Sequence, residues 1–353
     1  MHDFSGKKVL VVGGAGFVGS NLVKALLKQK AEKIIIVDNL LSSDISQVPN
    51  KDNIEFIQGS ITEDRILYNL PEDLNYVFHL STYHGNQSSI DDPLKDHENN
   101  TLTTLKLLER IHNFKSLDKV VYASAGCSIA KKTFDNTSAT QEREEVSLYM
   151  DSPYQLSKIF GEFYGNYYFM RYQLPFVKAR FQNVYGPGEV LGAGLWRGNK
   201  NTVWRNVTPT FIFKALNNEA LPLEKNGVAT RDFIHVDDTV NGLIACALNG
   251  EAGGSYNIAS GVETSIFDLA EMINELTGNQ AGLGNNKARE WDRSGKRFGD
   301  TTKTSQQLKF EAKVSLPEGL KQTIEWTQNN IALIQQCMLR HERYMPEIKK
   351  YFS

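Results

Sequence analysis

Val9 to Gly19 reads VLVVGGAGFVG, a continuous apolar run closed by glycines in a G-x-x-G-x-x-G spacing at Gly13, Gly16 and Gly19. A short apolar run that ends in glycine and opens into a helical pattern is a buried strand turning into a helix. Gly13 permits a tight turn. Gly16 lets a pyrophosphate approach the backbone, with Phe17 and Val18 beside it, and Gly19 lets the helix pack closely on the strand. The helix start offers free N–H groups and the positive end of its dipole to phosphate. A glycine triplet alone also describes a plain turn, so its context carries the weight. Asp38 stands nineteen residues past Gly19, at the end of the β-branched run Lys33 to Val37 (KIIIV). A carboxylate there bonds the ribose hydroxyls of a dinucleotide and repels a 2′-phosphate. The segment Asp38 to Ser43 (DNLLSS), with Asn39 next to the carboxylate, holds no Arg or Lys to bind such a phosphate. The expected cofactor is NAD rather than NADP.

Outward from this loop, further apolar runs stand at Glu55 to Ile57, Tyr76 to Leu80, Lys119 to Ala123 and Phe176 to Ala179. They alternate with helical stretches at Ser20 to Lys30, Asn100 to Ile111 and Gln155 to Tyr172. Continuous apolar strands alternating with helices predict an α/β fold, a Rossmann-type doubly wound parallel sheet covered on both faces. Past Tyr185 the pattern changes. Gly188 to Asn201 reads as a long loop, Leu316 to about Leu339 as helix and Arg340 to Ser353 as a helical tail. The expected division is an NAD-binding domain over 1–185 and a smaller C-terminal, mainly substrate-binding domain over 186–353, with interleaved segments.

The 353 residues carry a formal net charge of -2 and no long basic run, which argues against nucleic acid or an anionic membrane as partner. The start of the chain lacks the charged and apolar regions of a secretion signal, and no apolar run reaches membrane-spanning length. Cys127, Cys246 and Cys337 are few, odd in number and far apart, which suits a reducing compartment. A cytoplasmic location is expected. The seven histidines show no zinc-like spacing with cysteine, so no metal site is expected.

Tyr154 and Lys158 lie four apart in a helical stretch that begins after Asp151-Ser152-Pro153. That spacing puts both on one face of the helix. A free tyrosine, with a pKa of about 10, is a poor base at neutral pH, and a neighbouring ammonium favours its phenolate. A surface Tyr/Lys pair is the bland alternative. The pair's place after the fifth strand favours Tyr154 as base, assisted by Lys158.

With these residues in view, the chain resembles the extended short-chain dehydrogenases/reductases of the nucleotide-sugar epimerase/dehydratase family. The landmarks run from GGAGFVG through YVFHLST at Tyr76, DHENNT around Asn100, YQLSK at Tyr154, RFQNVYGPG at Arg180, TRDFIHVDD at Thr230 and YNIASG at Tyr256 to GLKQTIEW near the end. It is similar in particular to the sugar epimerases of bacterial O-antigen clusters, which serve polysaccharide biosynthesis.

The resemblance implies that Leu80, Ser81 and Thr82, after His79, border the cofactor together with Asn100, and that Ser60 and Ile61 meet its adenine. Many members carry Asp where Ser60 stands. The resemblance also implies that Lys158 holds the nicotinamide ribose, and that Asn183, Arg231 and Arg297 approach the diphosphate of a nucleotide-diphosphate sugar, the expected substrate. His84, after the fourth strand, is either a sugar partner or a structural histidine. Trp196 and Trp204 are candidate covers for the sugar. The family's third catalytic residue, Ser or Thr, aligns without gaps on Ala125. Ser124 or Ser128 fills that role after a small shift, or is a turn residue. Sugar 4,6-dehydratases of the family place Asp-Glu where this chain has Gly126-Cys127. A mannose 3,5-epimerase uses a cysteine as acid/base at the position of Cys127, against the alternative of an inert buried thiol. The leading expectation is a 4-epimerase that works by transient oxidation at carbon 4. The alternatives are a 3,5-epimerase, a 4,6-dehydratase or, outside catalysis, an NAD-binding sensor or scaffold. Relatives often pair through the Tyr/Lys helix, which implies a homodimer.

Overall fold

The computed structural model describes residues 4–130, 133–293 and 295–352. Six strands, β1 (Lys8–Val12), β2 (Lys33–Asp38), β3 (Ile54–Gln58), β4 (Tyr76–His79), β5 (Lys119–Ala125) and β6 (Phe176–Phe181), join the later strand Ser255–Ile258 in one sheet. From one edge the order runs Ser255–Ile258, β6, β5, β4, β1, β2, β3, and every neighbouring pair is parallel. This is the 3-2-1-4-5-6 order of a dinucleotide fold with one strand added. The strands are apolar throughout because both faces are covered. Val9, Val11, Ile34 and Ile36 join one core with helices Phe17–Lys28 and Val236–Asn249. Leu10, Val12, Ile35 and Val37 join the other with helix Thr103–Ile111 and Tyr168 of helix Pro153–Tyr172. Alternate side chains point to opposite faces of a strand, so a continuous apolar run feeds two cores.

The chain after Tyr185 does not stay apart from this sheet. Strand Ser255–Ile258 pairs with β6, and helix Val236–Asn249 packs on one face. The remaining segments build two further cores. One gathers Phe211, Ile212, Leu269, Ile273 and Leu320. The other gathers Val190, Leu191 and Val203 of the long loop with Cys337, Met338 and Ile348 of the C-terminal region. The helix expected over Leu316 to Leu339 is two helices, Leu316–Asn329 and Ile331–Leu339, parted at Asn330. The expected helical tail is a series of turns followed by a short 3-10 helix, Pro346–Tyr351.

Candidate active site

A cleft of about 1300 Å³ opens beyond the carboxyl ends of β1, β2, β4 and β5, where the strand order reverses between β1 and β4. Open parallel sheets bind ligands at this reversal. Its walls include Gly13, Gly16, Phe17, Val18 and Gly19, with Asp38, Asn39, Ser60, Ile61, Leu80, Ser81 and Thr82. Tyr154, Lys158, Ser124, Cys127, His84, Asn183, Arg231 and Arg297 line the same cleft. Sequence readings at distant positions thus meet in one space.

At the dinucleotide end, Gly13 has φ +87° and donates its N–H to Val37 O at 2.8 Å. A Cβ on Gly19 would lie 2.1 Å from Gly13 O, so the helix approaches the strand as closely as glycine allows. Gly16 caps helix Phe17–Lys28 without any side-chain hydrogen bond to the first turn. That turn's N–H groups therefore lack a side-chain acceptor, as an anion site requires. Asp38 is buried. It accepts from the N–H groups of Ala15 (3.0 Å) and Leu40 (2.8 Å) and from the Ser43 hydroxyl (2.9 Å). Burial raises its pKa, and these donors oppose the rise. The cradle fits a dinucleotide with an unphosphorylated ribose.

Asn100 lies behind this wall rather than on it. Its Oδ1 accepts from Thr82 Oγ1 (3.0 Å) and Tyr83 N (2.7 Å), and its Nδ2 donates to the buried Asp96 (2.7 Å). It occupies a π-helical turn, His97–Leu102, ahead of helix Thr103–Ile111. Its place is to brace the loop that follows β4. His79 is buried between Thr104 and Ser81 and is neutral, its pKa pushed down to about 3 by burial.

At the reacting end, Ser152 caps helix Pro153–Tyr172 by accepting from Gln155 N. Tyr154 and Lys158 follow on the face toward the cleft. Lys158 Nζ donates to Ala123 O at 2.9 Å and stands 5.8 Å from the centre of the Tyr154 ring. Burial pushes the lysine down to about 8, with Asp96 and Cys127 opposing. The phenol departs from the expected lowering. Burial raises Tyr154 well above its ordinary value, the neighbouring Cys127, Tyr122 and Asp96 add to the rise, and Arg297 opposes it. Desolvation here outweighs the pull of nearby cations.

Ser124 Oγ donates to Glu162 Oε1 at 2.6 Å, and Glu162 forms a two-pronged buried ion pair with Arg180 (2.8 and 2.6 Å). Its proton is thus engaged away from the expected third catalytic role, although the residue lines the cleft. The hydroxyl of Ser128 is buried. Cys127, in the 3-10 turn after β5, is partly exposed to the cleft and lies among Tyr154, Lys158 and Arg231.

Arg231 donates to Thr230 O (2.7 Å) and Gly295 O (2.6 Å) and stands 3.9 Å from Asp292. Burial and the like charge of Arg297 lower its pKa to about 9. Arg297 is buried too and lines the same cleft, and two guanidiniums held away from water suit an anion. Asn183 opens a short strand paired with Phe233, which aligns it with the arginine turn. Trp196 turns away from the cleft and stacks on Tyr344, their ring centres 5.0 Å apart, so it is no sugar cover. Trp204 does line the cleft, packed against Tyr351.

Glu189, Arg205 and Asn206 also line the cleft and were not foreseen. The start of the long loop delivers Glu189 and the segment just past its end delivers Arg205 and Asn206, and the C-terminal region helps to hold that loop in place. His341 Nε2 bonds Gly192 O at 2.8 Å; the segment after β2 holds the loop as well, Leu41 O accepting from Leu195 N at 3.1 Å, and Arg340 ties that segment to the C-terminal region through Asp44 at 2.7 Å. Among the described residues no helix is long and apolar enough to cross a membrane, and no group of His, Cys, Asp and Glu is placed to hold a metal ion.

The family model for the NAD dependent epimerase/dehydratase family matches residues 9–259. A crystal structure of the Bordetella bronchiseptica enzyme WbmF in complex with NAD+ is 56% identical, with a TM-score of 0.87, over 98% of this chain and 99% of that one. The dTDP-D-glucose 4,6-dehydratase of Dictyostelium discoideum is 32% identical over 76% of this chain but only 61% of its own length, so the match spans less than two thirds of it. The UDP-glucose 4-epimerase of Mycolicibacterium smegmatis is 29% identical over 91% of this chain and 99% of its own. The glycine cradle, the sheet order and these likenesses agree: the chain belongs to the NAD-dependent epimerase/dehydratase family.

Proposed function

We propose that this protein is an NAD-dependent epimerase of a nucleotide-diphosphate sugar, acting through transient oxidation at carbon 4. One observation carries the proposal: the dinucleotide cradle, the Tyr154/Lys158 pair and the Arg231/Arg297 anion site share one cleft. A sensor would need the first but neither of the others. WbmF, the similar Bordetella enzyme, has also been solved with NAD+ and UDP.

The glycine turn and Asp38 would hold NAD, which would supply the hydride acceptor and donor for carbon 4. Tyr154 takes the proton of the carbon-4 hydroxyl as hydride leaves and returns it when the alcohol re-forms. Lys158 compensates the phenolate charge, and Asn183, Arg231 and Arg297 hold the diphosphate. Gly126-Cys127 offers no carboxylate to eliminate water, which favours epimerisation over 4,6-dehydration. The Cys127 thiol beside Tyr154 supports a second reading, a 3,5-epimerase in which the thiol moves a carbon-bound proton.

The two readings differ in heavy water. With a panel of UDP-, GDP-, CDP- and dTDP-sugars, the expected product is a 4-epimer that has gained no deuterium at carbon, read by NMR and mass spectrometry. Deuterium at carbon 3 or 5 would overturn the leading reading in favour of Cys127 chemistry.

The protein acts as a homodimer in the cytoplasm in this proposal. Leu156, Phe160, Phe163, Tyr167 and Met170 leave an exposed apolar stripe along helix Pro153–Tyr172. A stripe at helical spacing suits a second copy of the same helix. Phe160→Asp is expected to convert a dimer to a monomer in light scattering. A wild-type protein that is monomeric at micromolar concentration would refute the dimer.

A further inference from the structure

Glu189, Asn206 and His84 form a chain that ends against the catalytic tyrosine. Glu189 is 6% exposed, and its Oε1 accepts from Asn206 Nδ2. Asn206 Oδ1 lies 3.0 Å from His84 Nε2, and the His84 ring centre lies 6.0 Å from that of Tyr154. The other carboxyl oxygen of Glu189 is buried with no hydrogen-bond partner among the described residues.

The directions of these bonds are coupled, because an amide nitrogen only donates and an amide oxygen only accepts. An ionised Glu189 can only accept. Asn206 must then turn Nδ2 toward it and Oδ1 toward His84, which puts the imidazole proton on Nε2 and leaves Nδ1 a bare acceptor. A protonated Glu189 carries a hydroxyl that would be buried without an acceptor, a costly state. Turning the Asn206 amide over removes that cost. Oδ1 then accepts from the carboxylic acid, Nδ2 donates to His84 Nε2, and the imidazole proton resides on Nδ1. One proton is gained in all, on Glu189, while His84 stays neutral and exchanges tautomer through solvent.

We propose that Glu189 and Asn206 are positioning residues that set the tautomer of His84, so that its ring presents an acceptor or a donor to the sugar according to the protonation of Glu189. The inference deepens the sugar-site reading and rests on it. The surrounding charges are compatible. Arg205 faces both Glu189 and His84, while Arg197 and Lys158 face His84. Burial lifts Glu189 to about 7 against Asn206 and Arg205, and lowers His84 to about 4. Glu189 thus titrates where the imidazole is already neutral.

The test is long-range ¹H–¹⁵N NMR of the full chain with NAD, labelled at histidine, from about pH 5.5 to about pH 8.5. His84→Asn assigns the signal. The expected result is an Nδ1–H form at low pH giving way to Nε2–H with a midpoint of about 7. Glu189→Gln should hold one tautomer throughout and flatten the matching limb of the kcat profile. Asn206→Leu cuts the chain while keeping the carboxyl, and should also uncouple His84. A single wild-type tautomer over the range, or an unchanged transition in Glu189→Gln, would overturn the relay. A tautomer switch without turnover of any nucleotide sugar would keep the relay and sink the epimerase reading instead, so the two failures are distinct.

Discussion

Replacing Tyr154 by Phe should lower turnover by about 10²- to 10⁴-fold, the usual contribution of a positioned acid–base group. In barrier terms that is about 3–5 kcal/mol. The phenyl ring keeps the edge contact with His84 and the approach of Lys158, so the cleft should retain its shape. The glycine cradle and the arginines do not depend on the hydroxyl, so NAD occupancy and substrate affinity should hold. Because burial raises the Tyr154 phenol, the wild-type rate should climb with pH as the phenolate forms. Lys158, lowered to about 8, is charged at neutral pH but loses its proton before the raised phenol does, so the climb should be cut short as pH passes about 8 and the compensating cation is lost. Product formation by NMR gives kcat, and absorbance of the cofactor released on denaturation gives occupancy. A Phe variant with near-wild-type turnover would remove Tyr154 from the chemistry and return the protein to a binding role.

What the sequence disclosed was whatever depends on neighbours along the chain. Gly13 to Gly19 is a turn and a helix start, and Tyr154 to Lys158 is one turn of a helix, so spacing alone set their relation. Tertiary closure decided the rest. His84 and Asn206 are 122 positions apart, and the loop that leads to Asn206 is held from the C-terminal region by His341 through Gly192. No local pattern marks Glu189 as buried. For Ser124 the sequence leaves a catalytic and a turn role open, because its partner Glu162 lies 38 positions on, across the packing of helix on sheet. Trp196 is a candidate cover by sequence alone, and the partner that engages it instead, Tyr344, comes from far along the chain. The Tyr154 pKa missed in direction because charge spacing is local, whereas desolvation belongs to the whole fold.

Gly13→Ala should cost about 2–4 kcal/mol of stability and cut NAD occupancy at least about tenfold, and two other glycines separate the causes. An L side chain at positive φ costs about 1–2 kcal/mol by itself. Gly6 isolates that strain, with φ +69° and nothing within 4 Å of an added Cβ, so Gly6→Ala should lose about that much and keep NAD. Gly13 adds collision to strain. Its Cβ would stand 2.6 Å from Ser81 N, 2.8 Å from Ser81 Cα and 2.9 Å from Leu80 C, all backbone at the end of β4. Backbone pinned by Leu80 N to Val12 O, at 2.8 Å, cannot swing aside as a side-chain tip would. Relief must therefore open the loop against β4, which enlarges the turn that cradles the phosphates. Gly16 isolates the ligand. Its backbone is extended, at φ -73° and ψ 175°, and its Cβ would meet only Gly13 O at 3.3 Å. Gly16→Ala should then leave thermal unfolding of the cofactor-free protein nearly unchanged and still weaken NAD, because the methyl group occupies the phosphate's approach. Denaturant midpoints of the stripped proteins, set beside NAD titrations, read both effects. A Gly13→Ala protein with wild-type stability and full NAD would mean that the loop can move off β4 at little cost, and the cradle would lose its claim to rigidity.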